Sequence, residues 1–294
     1  MRAPAAAPTC GNGRPLPRLD PVLTDPGRLQ VARLAGGRTV RYLDRGEPGW
    51  TPFVFFGGLA TSVGAFTLTE FHRRARERLG LRAISVERNG FGATGFDPRL
   101  GYAAAVTDVL GVLEALEVDR FSLVAISGGG PFAAALAAAV PGRVRSVHLV
   151  AAVAGGLIAT HGSAGERFAD AAAVARDPEG MWELAAASPV QAIPGWTAAA
   201  RAEGRRALPD PDTAARAIAH EWRLLCETEL PDLSQVQAPA YLYTGARDDV
   251  VPRIHAQAWQ DALPELAAWR EYPGEGHEVA YRHWDDVLAD LGCG

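Results

Sequence analysis

The chain has 294 residues, 48% of them apolar and 21% charged, with a formal net charge of −5. That length suits one large domain, or a domain with an insertion, whose core needs no disulfide or metal for stability, and the acidic balance argues against nucleic acid as the main partner. Lysine is absent and all 29 basic residues are arginine, which excludes a P-loop and a Schiff-base cofactor site, since both need a lysine amine.

Residues 1–25 begin with a Pro-, Ala- and Gly-rich stretch that lacks the continuous apolar run of a signal peptide. The expectation is a disordered tail on a cytoplasmic protein. Short strands are predicted at residues 28–34 and 38–43, joined in a hairpin at Gly36-Gly37. A continuous apolar run at 52–56 reads as a strand buried on both faces. A helix is expected over 62–79 and a strand over 82–86. Val106, Val109, Leu110, Leu113 and Leu116 fall on one face of the next helix. A strand at 121–126, a helix at 131–140 with Pro131 in its first turn, and a strand at 144–150 follow. Alternation stops there. Residues 156–235 carry only helical segments, broken by prolines. Strand and helix then return at 240–243, 253–262, 267–272 and 279–291.

Strands alternating with helices predict an α/β fold: a parallel sheet covered on both faces. The core is expected over residues 26–155 and 236–294, with residues 156–235 as an inserted helical cap. Cys10, Cys226 and Cys293 are far apart and in no metal-binding spacing, so neither a disulfide scaffold nor a zinc site is expected. No apolar stretch is long enough to span a bilayer, so no membrane partner is expected. Oligomeric state is not readable from the chain.

The segment Phe-Ser-Leu-Val-Ala-Ile-Ser-Gly-Gly-Gly-Pro over 121–131 runs a buried strand straight into Ser127, then glycines, then a helix. This is the pattern of a nucleophile elbow, with Ala125 and Gly129 as the small residues that a sharp turn requires. A nucleophilic serine needs a base, and the base needs an orienting acid. Gly-Ala-Arg-Asp-Asp-Val-Val-Pro over 245–252 ends a strand in a loop with Asp248 and Asp249. Gly-Glu-Gly-His over 274–277 places His277 in a loop after the next strand. All three groups then sit at the carboxyl ends of parallel strands, where open α/β sheets build their sites. Each signal alone is weak. Together, in the order Ser–Asp–His, they are specific.

On these residues the chain resembles the α/β-hydrolase superfamily over about residues 28–292, and is similar to its capped, serine-nucleophile, esterase- and lipase-like members. Arg-Asn-Gly-Phe-Gly over 88–92 resembles the turn after that family's fourth strand. The resemblance implies an eight-stranded, mostly parallel sheet with the first two strands antiparallel. It assigns Asp248 as the acid, His277 as the base and Ser127 as the nucleophile. It also implies an oxyanion hole from the backbone N–H groups of Leu59 and Gly128. The family usually has His-Gly after its third strand, and this chain has Gly57-Gly58 instead. The hole is made of backbone groups, so it survives that change, but a stiffening side chain is missing.

Other signals are set aside. Gly90, Gly92 and Gly95 spell GxGxxG, but no helix opens at once to receive a pyrophosphate. His277, Glu278 and His283 lack the spacing of a zinc helix. A serine at the elbow argues against haloalkane or epoxide chemistry, which needs a carboxylate there. Trp182, Trp196 and Trp222 read either as a small cap core or as an apolar roof over a pocket. His255 is expected on a helix surface, and Arg88 and Asn89 as loop braces. The function expected is hydrolysis of an ester-type bond in a small, largely apolar substrate, with no cofactor and no metal. The same three residues also suit transacylation, C–C bond cleavage or cyclisation, and a non-catalytic ligand binder on this fold remains the other class.

Overall fold

A computed structural model of the chain describes residues 19–34, 37–168, 170–180 and 189–293. Residues 1–18 of the expected tail, Gly36 of the expected hairpin, Cys10 and Trp182 lie outside the described residues. The strands are β1 (Gln30–Arg33), β2 (Thr39–Arg45), β3 (Thr51–Phe56), β4 (Leu81–Val86), β5 (Phe121–Ile126), β6 (Val144–Val150), β7 (Ala240–Gly245) and β8 (Leu266–Tyr272). They form one sheet in the order β1-β2-β4-β3-β5-β6-β7-β8. The pairs β1–β2 and β2–β4 are antiparallel and the others parallel, so β2 alone runs against the rest. The α/β class is as the sequence pattern predicts, and the eight-stranded, mostly parallel sheet is as the family resemblance implies. The apolar runs behave as buried strands should: every residue of β4 and β5 is buried.

The helices are α1 (Arg73–Arg78), α2 (Tyr102–Ala115), α3 (Gly130–Ala139), α4 (Ala164–Phe168), α5 (Ala171–Arg176), α6 (Trp196–Ala207), α7 (Pro211–Glu227), α8 (Ile254–Ala262), α9 (Val279–Arg282) and α10 (Trp284–Leu291). Two apolar cores lie on the two faces of the sheet. One joins α2, α3 and α8 to the strands; the other joins residues 63–71, α6 and α10. A third cluster joins Leu59, Ala60 and Phe91 to residues between Val153 and Val251, among them Ile158, Ile218 and Leu225. Among the described residues no helix is long and apolar enough to cross a membrane.

Three expectations need correction. The helix expected over 62–79 is a 3₁₀ run over Val63–His72, with α-helix only at Arg73–Arg78. The reason is local: the hydroxyls of Thr67 and Thr69 donate to the carbonyls of Gly64 and Phe66, three residues back, and tighten the turns. The single helix expected over 279–291 breaks at His283, whose ring stacks on Tyr272 at 3.7 Å. Part of the expected tail is anchored: Asp20 N–H donates to Phe71 O, its carboxylate accepts from Arg74 N–H, and Val22 N–H donates to Pro194 O.

The loop after β4 carries a titratable group in an unusual place. Glu87 is buried, with Ala93 N–H and Thr94 Oγ1 as its donors, and burial pushes its carboxyl up to about 7. The folded chain therefore binds this proton more tightly than the unfolded chain. Its contribution to stability is fully present below the ordinary carboxylate pKa and is lost as pH rises through about 7. Between pH 5 and 8 the wild type is expected to lose up to about 2.5 kcal/mol more than Glu87→Gln. Urea melts of both proteins at the two pH values measure this; parallel losses would contradict it.

Candidate active site

The turn after β5 is where the backbone departs furthest from ordinary geometry. Ser127 follows the last residue of β5 with φ +52°, a left-handed conformation that is rare for a residue with a side chain. Such strain persists only where the surroundings hold it. Here the glycines that follow permit the close packing. A Cβ on Gly129 would lie 2.5 Å from Phe56 O, and one on Gly130 would meet Val153 O. The chain then enters α3 with Pro131 in its first turn, so the helix N-terminus, with its positive dipole end, stands behind Ser127.

The acid loop follows β7. Asp248 is buried, and its Oδ1 accepts from the N–H groups of Val250 and Val251 at 3.0 and 2.8 Å. These bonds close a tight turn and leave Oδ2 free to face His277. Asp249, its neighbour, is exposed. The loop after β8 brings His277 between the other two groups. Its Nδ1 lies 2.9 Å from Asp248 Oδ2 and its Nε2 lies 3.1 Å from Ser127 Oγ. An ionised carboxylate can only accept, so Nδ1 carries the proton and Nε2 is the acceptor for the Ser127 hydroxyl. Ser127, Asp248 and His277, separated by 121 and 29 residues in sequence, are thus one hydrogen-bonded line at the carboxyl edge of the sheet.

Leu59 and Gly128 are also brought together. A Cβ on Gly128 would lie 2.9 Å from Leu59 N, so the loop after β3 touches the elbow. The Leu59 N–H has no protein acceptor among the described residues. Gly58 lies against the Ser127 side chain: a Cβ there would be 3.5 Å from Ser127 Cβ.

Where the family's histidine is missing, other groups hold this loop. Arg88 donates to the carbonyls of Gly57, Gly58 and Thr61 at 3.2, 2.5 and 3.2 Å. Its Nη1 also lies 2.8 Å from Glu221 Oε1 on α7. Glu221 Oε2 accepts from Ala60 N–H at 3.2 Å. Glu203 on α6 accepts from Ser62 N–H at 2.7 Å and from Ser62 Oγ at 3.0 Å. Burial raises both carboxyls above the ordinary carboxylate range, and these donors with Arg206 or Arg88 offset that only in part. Sequence reasoning anticipated Arg88 as a brace, and Asn89 likewise ties the next turn through Asp97. It missed Glu203 and Glu221. The available signal was their position: each occupies the buried stripe of an amphipathic helix, among Trp196, Ala199, Ala200 and Ala207 or Ala214, Ala217, Ile218 and Leu225.

His255 is corrected as well. It is 1% exposed rather than on a helix surface, and its Nδ1 accepts from Ala154 N–H at 3.1 Å. Burial pushes its imidazole down to about 4, so it stays neutral and joins α8 to the loop after β6. His283 faces Glu275 and Tyr272, away from a shared metal geometry with His277.

A cleft of about 150 Å³ opens above Ser127 and His277. Its walls are apolar: Ile126, Val153, Ile158, Phe168, Trp196, Trp222 and Leu225. Trp196 and Trp222 therefore line the cleft. Phe168 stacks on Trp222 with ring centres 5.8 Å apart. Among the described residues, Glu278 is the one acidic side chain on the lining, which carries no arginine; Tyr281 lies beside it.

Residues 51–283 match the family model of the alpha/beta hydrolase fold. No curated protein matches the chain. Solved structures with a similar fold include an esterase from Rhodococcus sp. ECU1013, at 23% identity and a TM-score of 0.70, covering 90% of this chain and 96% of that one. An enol-lactonase from Burkholderia xenovorans LB400 is 20% identical with a TM-score of 0.68, covering 90% and 100%. An esterase from Exiguobacterium antarcticum is 15% identical with a TM-score of 0.69, covering 89% and 97%. At these identities the likeness concerns the fold.

Proposed function

The chain belongs to the α/β-hydrolase fold family, and from that premise we propose that it hydrolyses an ester-type bond, a carboxylic ester or a lactone, of a small and largely apolar substrate through an acyl-enzyme on Ser127. The observation that carries this reading is the line from Ser127 Oγ through His277 to Asp248, at 3.1 and 2.9 Å.

In the first half-reaction Ser127 Oγ attacks the carbonyl carbon while His277 Nε2 takes the hydroxyl proton. Asp248 holds the imidazole in the correct tautomer and stabilises the imidazolium. The carbonyl oxygen becomes an oxyanion against the N–H groups of Leu59 and Gly128, close to the N-terminus of α3. Collapse breaks the bond to the leaving alkoxide, which takes the proton from His277. Water then attacks the acyl-enzyme with His277 as base, and the acid and Ser127 are released. No cofactor or metal enters any step.

The helical segments of residues 156–235 act as a cap in this reading. They supply the apolar wall of the cleft and exclude bulk water, which strengthens the electrostatics around the oxyanion. The lining favours neutral substrates, because Glu278 repels a carboxylate and no arginine among the described residues lines the cleft to offset it. Both esterase and lactonase neighbours fit the proposal, and one substrate panel separates them. Neutral aryl esters, simple lactones and carboxylate-bearing hemiesters are offered to the wild type, alongside a fluorophosphonate probe. The expected result is turnover of neutral substrates ahead of hemiesters, with one phosphonyl adduct on the peptide carrying Ser127. No turnover of any neutral ester or lactone, together with no adduct, would remove the proposal.

A further inference from the structure

We propose that Glu203 on α6 and Glu221 on α7 are positioning residues that aim the Leu59 N–H at the oxyanion. The inference rests on the acyl-enzyme reading above and goes beyond it, because it gives two residues of the helical segment a part in the reaction.

The loop over residues 57–62 needs external support. It begins Gly57-Gly58, and its Ala60 has φ +62°, a left-handed conformation unfavourable for a residue with a Cβ. Within the loop the Thr61 hydroxyl closes a turn on Gly58 O at 2.8 Å, which leaves the N–H groups of Ala60 and Ser62 to be held by other parts of the chain. The support comes from outside: Glu221 accepts from Ala60 N–H, and Glu203 accepts from both Ser62 N–H and Ser62 Oγ. Arg88 pulls on the carbonyls of the same stretch and lies against Glu221. The N–H groups of Ala60 and Ser62 are thereby taken up by carboxylates, while the Leu59 N–H between Gly58 and Ala60 is left without a protein acceptor among the described residues. A left-handed residue directly after Leu59 sets the direction of the following peptide, and the bonds on either side of Leu59 limit how far its own peptide can rotate. Both carboxylates are fully or nearly fully buried and paired with arginine, Glu203 with Arg206 and Glu221 with Arg88, so they are held as acceptors rather than solvated.

A positioning role and a merely structural role differ in which ligand they affect. Misplacing an oxyanion donor by a fraction of an ångström weakens the transition state and spares the ground state. Glu221→Ala is therefore expected to lower kcat for an aryl ester about 100-fold, with KM changed by less than roughly threefold. Affinity for a boronic acid, whose tetrahedral adduct on Ser127 places an oxygen in the hole, should fall by a similar factor. Affinity for an unreactive ether of the same shape should not change. Glu221→Gln retains an acceptor for Ala60 N–H and should recover kcat to within about tenfold of wild type. If Glu221→Ala does not fold, Glu221→Gln and Glu203→Gln carry the test through the same ratio of boronate to ether affinity, which should fall in both. Equal weakening of boronate and ether, or an unchanged kcat in an otherwise active protein, overturns the positioning role and leaves the acyl-enzyme reading in place. A wild type without turnover or fluorophosphonate adduct overturns that reading first.

Discussion

Ser127→Ala is expected to abolish covalent labelling by a fluorophosphonate and to lower kcat/KM for an activated ester by about 10⁴-fold or more. The hydroxyl is the group that His277 Nε2 faces at 3.1 Å, and alanine leaves nothing there to carry the acyl group. Stability should change little. Serine and alanine both place a single Cβ on a backbone held at φ +52°, so the strain at the elbow is common to both. The Leu59 and Gly128 N–H groups, His277 and the cleft remain, which leaves weak hydrolysis by water above the uncatalysed rate. Intact-protein mass after probe treatment and a thermal melt of the variant check both halves. Labelling at the wild-type rate would remove Ser127 from the mechanism.

Asp248→Asn should lower kcat by about 10⁴-fold near neutral pH while leaving the fold intact. Asparagine can keep the turn, because its carbonyl oxygen can accept from Val250 and Val251 N–H as Asp248 Oδ1 does. Its amide nitrogen then faces His277 Nδ1 as a donor. The imidazole must answer with an unprotonated Nδ1, which moves its proton to Nε2, where it can no longer receive the proton of Ser127. The exposed neighbour provides the control: Asp249→Asn should leave kcat within about twofold of wild type. A steady-state comparison of the two variants decides the assignment. A large loss on the Asp249 side, or none on the Asp248 side, would contradict it.

Much of this arrangement is legible in the chain because its signals are local. The strand that runs into Ser127 is continuous apolar sequence, and the small residues around the turn are adjacent to it. Asp248 and His277 each sit in a short loop after a strand, so their place at the carboxyl edge follows from the parallel sheet alone. The strands over 52–56, 82–86, 121–126 and 144–150 match the structure to within a residue at their ends. Local reading fails where a side chain answers to something distant or to its own backbone. The 3₁₀ run at Val63–His72 looks apolar and helical, but threonine hydroxyls bonding three residues back change its pitch. His255 has the flanks of a surface helix, and only the packing of α8 against the loop after β6 buries it.

The loop at Gly57 shows the boundary between the two kinds of information most clearly. Its glycines announce the loss of a stiffening histidine, yet nothing near them in sequence says what replaces it. The replacements are Arg88, about thirty residues on, and Glu203 and Glu221, 141 residues beyond Ser62 and 161 beyond Ala60. The order of strands and helices, the sharp turn at Ser127 and the edge on which Ser127, Asp248 and His277 lie are determined by the chain alone, since periodicity and turn chemistry act over a few residues. The distances among those groups, the wall of the cleft and the carboxylates that grip its floor are decided only by tertiary packing. A buried charge finds its partner wherever folding brings an N–H or a guanidinium within reach.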